Sequence, residues 1–121
     1  MNSKDEKGYK KEIEILKQAN HPFVIEYIED FINKNDQVCI VTKFASGGDL
    51  ENLMKNTNIS EKEALDYFTM ILLALNYLQS INIFHRDLKP DNILLDEVQD
   101  GLKIVKIGDF GISKIDIKTL I

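Results

Sequence analysis

The chain has 121 residues, of which 44% are hydrophobic and 29% charged, and its formal net charge at pH 7 is −5. This composition is ordinary for a globular domain and excludes disordered and collagen-like chains. A single cysteine, Cys39, cannot form an internal disulfide, which excludes a secreted disulfide scaffold. The longest apolar run, residues 70–75, is far shorter than the ~20 residues of a membrane span, and the acidic balance argues against nucleic acid as the main partner. We therefore expect a cytoplasmic, intracellular domain that binds neither nucleic acid nor membrane, and the sequence leaves its oligomeric state open.

A helix and a hairpin are predicted in the first part of the chain. Apolar residues within 13–17 share one face of a helix, which should end before Pro22 because proline cannot continue a helix. Residues 23–32 and 38–44 are rich in β-branched and aromatic side chains, and the polar segment 33–36 lies between them. This pattern predicts two antiparallel strands joined by a turn.

A short helix and a long helix are predicted next. The segment Ser46-Gly47-Gly48 should end the second strand, and Asp49 is placed to cap a short helix. Ser60 and a glutamate three residues later form a capping-box pattern, and apolar residues at helical spacing continue to about Ser80. Because the long helix is apolar on more than one face, we predict that it lies in the core.

The last part of the chain alternates short apolar stretches with polar turns. The stretches, residues 81–84, 93–95 and 104–107, are too short for helices and predict short strands. Short strands that present polar loops are typical of a scaffold that supports a functional site.

Two polar strings follow these stretches: His-Arg-Asp-Leu-Lys-Pro-Asp-Asn at residues 85–92 and Asp-Phe-Gly at residues 109–111. Phosphoryl transfer needs metal ions to neutralise the phosphate oxygens, a carboxylate to orient the attacking hydroxyl, and a cation near the developing charge. The two strings offer Asp and Asn oxygens of the kind that Mg²⁺ prefers, together with a lysine. Each piece alone has a commoner explanation, since a lone histidine is usually packed in a core and Asp-Phe-Gly is usually a turn. Their combination in this order favours phosphoryl transfer.

With these two strings the chain resembles the eukaryotic protein kinases, whose signature contains both. The resemblance implies an α+β, bilobal kinase-like fold of which part is present: helix C, the hinge hairpin, helices D and E, the catalytic loop and the strand-turn of Asp-Phe-Gly. The Lys89-Pro90 spelling resembles serine/threonine kinases, and the chain looks most like the NIMA-related group or a neighbouring one. The implied activity is transfer of the γ-phosphoryl group of ATP, with Mg²⁺, to a Ser or Thr hydroxyl of a protein substrate.

The resemblance also implies a role for each residue of a site. Asp87 would be the catalytic base, Lys89 would steady the transferred phosphoryl group, and Asn92 and Asp109 would hold Mg²⁺. The nucleotide would contact a gatekeeper, a hinge, a ribose-binding acid and a residue beneath the adenine, in chain order Thr42, Lys43, Phe44, Ala45, Asp49 and Leu94.

Further residues would couple the two lobes by the same resemblance. Glu12 occupies the position of the helix C glutamate, and Arg86 that of the residue that pairs with a phosphorylated activation loop. An apolar column would consist of Leu16, Tyr27, His85 and Phe110. Leu16 and Tyr27 would be core residues in nearly any fold.

Two parts that a kinase needs, the Gly-rich loop and the strand lysine, are not found ahead of Glu12, where Gly8 is the only glycine. We therefore expect residues 1–121 to be a partial protein kinase domain that lacks these parts and most of the large lobe, and that is inactive alone. The hairpin should keep an open edge, and the long helix an uncovered apolar face. One alternative is a non-catalytic kinase-like interaction module. The other is a kinase-like small-molecule phosphotransferase, which would share the two aspartates and the asparagine.

Overall fold

A computed structural model describes residue 10 and residues 13–83, 88–108 and 116–120. In chain order the elements are helix α1 (residues 13–18), strands β1 (Tyr27–Ile32) and β2 (Val38–Lys43), helices α2 (Leu50–Asn56) and α3 (Glu61–Ser80), a 3-10 turn (Pro90–Asn92), and strands β3 (Ile93–Gln99), β4 (Leu102–Ile107) and β5 (Asp116–Leu120). Strands β1, β2 and β5 form one sheet, and β3 and β4 form a separate hairpin. The α+β class is as predicted. No helix in the described ranges has the length and apolar character that crossing a membrane requires.

The predicted hairpin is formed by β1 and β2, which pair antiparallel. In the turn between them, the side-chain oxygen of Asn33 accepts hydrogen bonds from the backbone N–H groups of Asn35 and Gln37, both at 2.9 Å. Asp36 adopts a left-handed φ of 56°, which aspartate tolerates better than most residues. The polar turn is therefore held by its own side chains.

The first strand begins at Tyr27 and not at residue 23 as predicted. The residues before it pair with β4 instead: the N–H of Ile107 donates to the carbonyl of Phe23, and the N–H of Ile25 donates to the carbonyl of Ile107, both at 2.9 Å. An apolar run shows that a segment can pair, but it does not show with which strand. The second strand ends at Lys43, one residue earlier than predicted.

The hairpin was predicted to keep an open edge; in the described chain β1 is at an edge of its sheet, while the β2 side is covered by a further strand. Strand β5 lies parallel to β2, with Asp116 opposite Cys39 and Leu120 opposite Lys43. Strand β2 is therefore the central strand of its sheet. An unpaired strand edge offers a row of N–H and C=O groups, and a segment distant in the sequence supplies their partners here.

Both predicted helix caps are formed. The Asp49 carboxylate accepts a hydrogen bond from the N–H of Asn52 at 2.8 Å, which caps α2. Ser60 Oγ accepts a hydrogen bond from the N–H of Glu63 at 3.1 Å and caps α3. The hydroxyl also donates to the Glu63 carboxylate at 3.2 Å. Each cap satisfies backbone N–H groups that have no partner within the helix.

Helix α3 buries one face and not several, so the prediction of a core helix is wrong. Its buried residues are Tyr67, Ala74 and Leu78. Four large apolar side chains elsewhere on the helix are 49–58% exposed, namely Leu65, Phe68, Leu72 and Leu73. The uncovered apolar face expected of a partial domain is therefore present.

The β3–β4 hairpin lies at the centre of the hydrophobic core. Leu95 of β3 and Val105 and Ile107 of β4 are fully buried, and they belong to one cluster with Ile40 of β2 and Leu78 of α3. The same side chains therefore join the three-stranded sheet, the hairpin and the long helix. The hairpin also carries the polar turn Pro90–Asn92 at one end.

We expect Leu95→Ala to lower the free energy of unfolding by about 2–5 kcal/mol, because it leaves a cavity at a fully buried position. The matched control is Leu102→Ala on the same hairpin, where the leucine is 52% exposed and the expected loss is within about 0.5 kcal/mol. Urea unfolding followed by circular dichroism measures both. Equal losses for the two variants would contradict the placement of the core.

Candidate functional site

Strand β2 is followed by residues 44–48, here called the connection. Along the chain the connection leads to α2, and through hydrogen bonds it contacts β3 of the hairpin. Thr42, near the end of β2, is 2% exposed. The N–H of Lys43 donates to the carbonyl of Glu26 at 2.9 Å, and its ammonium lies 2.8 Å from the Glu26 carboxylate. The hydrogen bond and the charge of Glu26 raise the pKa of Lys43. The chain is therefore anchored to the loop before β1 where the connection begins.

The far end of the connection is paired with β3. The N–H of Gly47 donates to the carbonyl of Leu95 at 2.7 Å, and the N–H of Leu95 donates to the carbonyl of Gly48 at 2.8 Å. A Cβ on Gly47 would lie 2.8 Å from the Leu95 carbonyl oxygen, so only glycine permits this approach. Gly48 adopts a left-handed φ of 76°. The two glycines therefore allow a backbone contact between the sheet and the hairpin, in addition to ending a strand.

This contact brings the predicted nucleotide-binding residues together. Thr42 to Ala45 are continuous in the chain, and Asp49 forms an isolated β-bridge with Leu94. The Ala45 N–H and C=O make no hydrogen bond to any residue that the structure describes. The two oxygens of the Asp49 carboxylate accept hydrogen bonds from the backbone N–H and the side-chain amide of Asn52, at 2.8 and 3.3 Å. The side chain predicted to reach the ribose therefore also caps α2.

Asn92 is a buried polar residue, 7% exposed, in the turn before β3. Its side-chain oxygen accepts a hydrogen bond from the N–H of Lys89 at 3.1 Å, and its own N–H donates to the Lys89 carbonyl at 3.1 Å. An amide oxygen has two lone pairs, so this oxygen can accept from Lys89 and also bind a cation. The Lys89 side chain is exposed.

The hairpin register brings Asn92, the last residue of the first polar string, and Gly108, the residue before the second, to one end. Ile93 pairs with Ile107, so Asn92 on one strand and Gly108 on the other leave the hairpin at the same end. Asp87 and Asp109 lie outside the described residues, as do Glu12, His85, Arg86, Phe110 and Gly111. The convergence of Asp87, Asn92 and Asp109 therefore stays a prediction.

The fit of Mg²⁺ can be judged at Asn92. A buried amide oxygen is a hard oxygen ligand of the kind that Mg²⁺ accepts. Within the described ranges no group of three or more His, Cys, Asp or Glu side chains is arranged to hold a metal ion. The donor chemistry of Asn92 fits the ion, and the second predicted ligand, Asp109, is beyond those ranges.

The protein kinase domain model matches residues 1–119 of this sequence. The chain belongs to the protein kinase family. It is 44% identical over 124 residues to the serine/threonine-protein kinase nekl-2 of Caenorhabditis elegans, an alignment that covers 94% of this chain and 34% of that protein. It is 45% identical over 107 residues to the serine/threonine-protein kinase Nek8 of Danio rerio, covering 86% of this chain and 15% of that protein. This chain thus spans about a third or less of these two relatives.

A solved kinase has the same fold as this chain. The crystal structure of Rad53 1-466 in complex with AMP-PNP superposes with a TM-score of 0.77 at 37% identity. The superposition covers 89% of this kinase chain and 28% of the Rad53 chain. The fold of the described residues is therefore that of part of a kinase domain.

In this kinase chain the loop between α1 and β1, residues 19–26, contacts α3 and β4. The hydroxyl of Tyr77 accepts a hydrogen bond from the N–H of Asn20 at 2.9 Å, and its ring stacks on His21 with centroids 5.0 Å apart. The ammonium of Lys106, two residues before Gly108, donates to the carbonyl of Pro22 at 2.6 Å. The loop therefore supports the end of β4 that leads to Asp-Phe-Gly.

Two residues of the predicted apolar column lie in the described part of the kinase. Leu16 of α1 is buried, and Tyr27 is half-buried against the core. The Tyr27 hydroxyl donates to Asp30, and the ammonium of Lys17 lies 5.5 Å from the centre of the tyrosine ring. Burial and the Asp30 carboxylate raise the pKa of Tyr27 to about 12.

Sequence reasoning missed several residues that shape this kinase site. Ser46 was treated only as the start of a glycine break, and Asp96, Tyr77 and Lys106 were not singled out. Each has its partner at least fifty residues away along the chain. No local pattern reports such a pair, because periodicity and capping describe neighbours within a few residues.

We expect His21 to make the stability of this kinase chain depend on pH. Burial and the nearby Lys106 charge lower the pKa of His21, and its Nδ1 accepts a hydrogen bond from the N–H of Phe23 at 3.1 Å. The unfolded chain therefore takes up the proton first, so stability falls as pH drops below about 6.5 and is unaffected by this group above it. Urea unfolding of wild type and His21→Asn between pH 7.5 and 5.5 measures the difference. A wild-type loss no larger than that of the variant would contradict the expectation.

Proposed function

We propose that the protein is a serine/threonine kinase that transfers the γ-phosphoryl group of ATP to a protein substrate. The observation that carries the proposal is the pairing of the 44–48 connection with β3. It brings the predicted nucleotide contacts next to the hairpin whose turn holds Asn92. The similar proteins named above are serine/threonine kinases, and the Rad53 structure contains AMP-PNP. The proposal concerns the protein to which these residues belong.

In the proposed nucleotide site the adenine edge binds the N–H and C=O groups of Ala45, which have no partner among the described residues. Leu94 packs beneath the ring, Thr42 closes the back of the site, and Asp49 reaches the ribose. The bridge between Asp49 and Leu94 supports this arrangement, because it pairs the residue proposed for the ribose with the residue proposed for the adenine. Lys43, held by Glu26, keeps its side chain out of the site.

In the proposed reaction the substrate hydroxyl oxygen forms a bond to the γ-phosphorus. The bond from that phosphorus to the oxygen bridging it to the β-phosphate breaks, and ADP leaves with the electron pair. Asp87 orients the hydroxyl and receives its proton, while Lys89 steadies the transferred group. Mg²⁺, when bound by Asn92 and Asp109, neutralises charge on the phosphate oxygens. The hairpin register supports this assignment, because Asn92 and Gly108 leave the hairpin at the same end. Asp109 is the next residue after Gly108, and consecutive Cα atoms are about 3.8 Å apart.

Within the family we place the chain in the NIMA-related group, as the resemblance suggests. The two relatives named as nekl-2 and Nek8 are 44% and 45% identical to it. Its substrate would then be a Ser or Thr hydroxyl of a protein. The Lys89-Pro90 pair supports protein substrates over small molecules.

A second candidate is a non-catalytic kinase-like interaction module. The exposed apolar face of α3, with Leu65, Phe68 and Leu72, favours it, because exposed apolar patches of this kind mark interaction sites. Calorimetry with ATP in the presence and absence of Mg²⁺ separates the two candidates. Mg²⁺-dependent binding without any phosphoryl transfer would favour the module.

We expect Asp87→Asn to lower the rate of phosphoryl transfer by at least about 10²-fold, the usual contribution of a positioned base. The measurement is transfer of labelled phosphate from ATP to casein by the full-length protein. The matched control is Asp100→Asn in the exposed turn between β3 and β4, which should leave the rate unchanged. A rate for Asp87→Asn equal to that of the control would remove Asp87 from the mechanism.

A further inference from the structure

Ser46 and Asp96 form a second contact between the connection and β3. The N–H and the hydroxyl of Ser46 both donate to the same carboxylate oxygen of Asp96, each at 3.3 Å. The Ser46 hydroxyl in turn accepts a hydrogen bond from the N–H of Glu97 at 3.2 Å. Three hydrogen bonds therefore tie one residue of the connection to two successive residues of β3.

The position of this contact matters because of what lies next to it. Ala45 directly precedes Ser46, and its N–H and C=O have no hydrogen-bond partner among the described residues. At the other end, Lys43 is held by Glu26 through its backbone and its side chain. Only Phe44 and Ala45 lie between the two anchors, so the anchors together set the direction of the Ala45 peptide groups.

The charge of Asp96 also reaches both ends of the connection. Its carboxylate accepts from Ser46 directly. After the larger effects of Glu26, its negative charge adds to the rise in the pKa of Lys43. Asp96 is half-buried on β3, where the strand ladder with Ile104 holds its backbone. It therefore offers an anchor on the rigid hairpin for a short irregular segment.

We propose that Ser46 and Asp96 are positioning residues that aim the Ala45 N–H and C=O at the adenine edge and so set the affinity for adenine nucleotides. The inference rests on the proposed kinase function and adds a determinant outside the atoms that touch the nucleotide. Neither side chain contacts ATP in this arrangement. Both act through Ala45, because the direction of a hydrogen-bonding group decides how well it pairs.

The experiment measures the dissociation constant of adenosine by calorimetry, with the full chain, four variants of the contact and one control variant. Ser46→Ala removes the two hydrogen bonds of the hydroxyl and keeps the bond from the backbone N–H, whereas Asp96→Ala removes both bonds to the carboxylate. Each change should weaken adenosine binding about fivefold, the scale of one net hydrogen bond. The double variant should bind no more weakly than Asp96→Ala by more than a small factor, because both changes act on the same contact. Ser46→Thr keeps the hydroxyl and should restore wild-type binding.

Urea unfolding of the same proteins separates positioning from general destabilisation. The matched control, Asp100→Ala, removes an exposed carboxylate of the same hairpin and should bind adenosine like wild type. If Asp96→Ala fails to fold, the comparison of Ser46→Ala with Ser46→Thr decides, since Ser46 is exposed.

The outcomes separate this inference from the proposed function. If Ser46→Ala binds adenosine as tightly as wild type does, the positioning role is overturned and the kinase proposal still stands. A loss of adenosine affinity that occurs only in variants whose urea unfolding midpoint also falls would overturn the positioning role as well. Absence of binding of both adenosine and ADP by wild type would overturn the nucleotide site itself, and this inference with it.

Discussion

The rest of the structure depends on a pair of backbone hydrogen bonds between the connection and β3, which involve Gly47, Gly48 and Leu95. Each bond is worth only about 1 kcal/mol net. Their importance is geometric, since they join the three-stranded sheet to the hairpin where Leu95 enters the core. A side chain at position 47 would push the two backbones apart. Because of this contact, the connection that carries Ala45 lies against β3.

The β3–β4 hairpin receives support from both sides. On β3 the connection pairs with Leu95, while on β4 the loop before β1 pairs with Ile107 and is held by Lys106 and Tyr77. The two supports meet at the hairpin because its apolar side chains form the centre of the core. Polar residues that directly precede or follow such a well-packed element are restrained by it. Asn92 is the described example, and its buried amide is held from within its own turn.

Agreement between sequence and structure differed from element to element for physical reasons. The caps at Asp49 and Ser60 were predictable, because a cap joins residues three apart. The predicted first strand was too long. Residues 23–25 are apolar like the strand that follows them, but they pair with β4. Apolar spacing identified α3 correctly as a helix, yet it could not tell which apolar face is covered. The pairing of β5 with β2 involves segments too distant in sequence for any local pattern to report.

The sequence by itself determined the family, the helices with their caps, the turn chemistry and the residue types of the site. These are properties of short strings, set by backbone propensity and by hydrogen bonds within a few residues. Only the tertiary structure decided that Gly47 must approach Leu95, that Ser46 meets Asp96, and that Lys106 holds the loop before β1. Such contacts depend on how whole elements pack, because the core first brings distant segments together and the polar groups at its edge then find their partners.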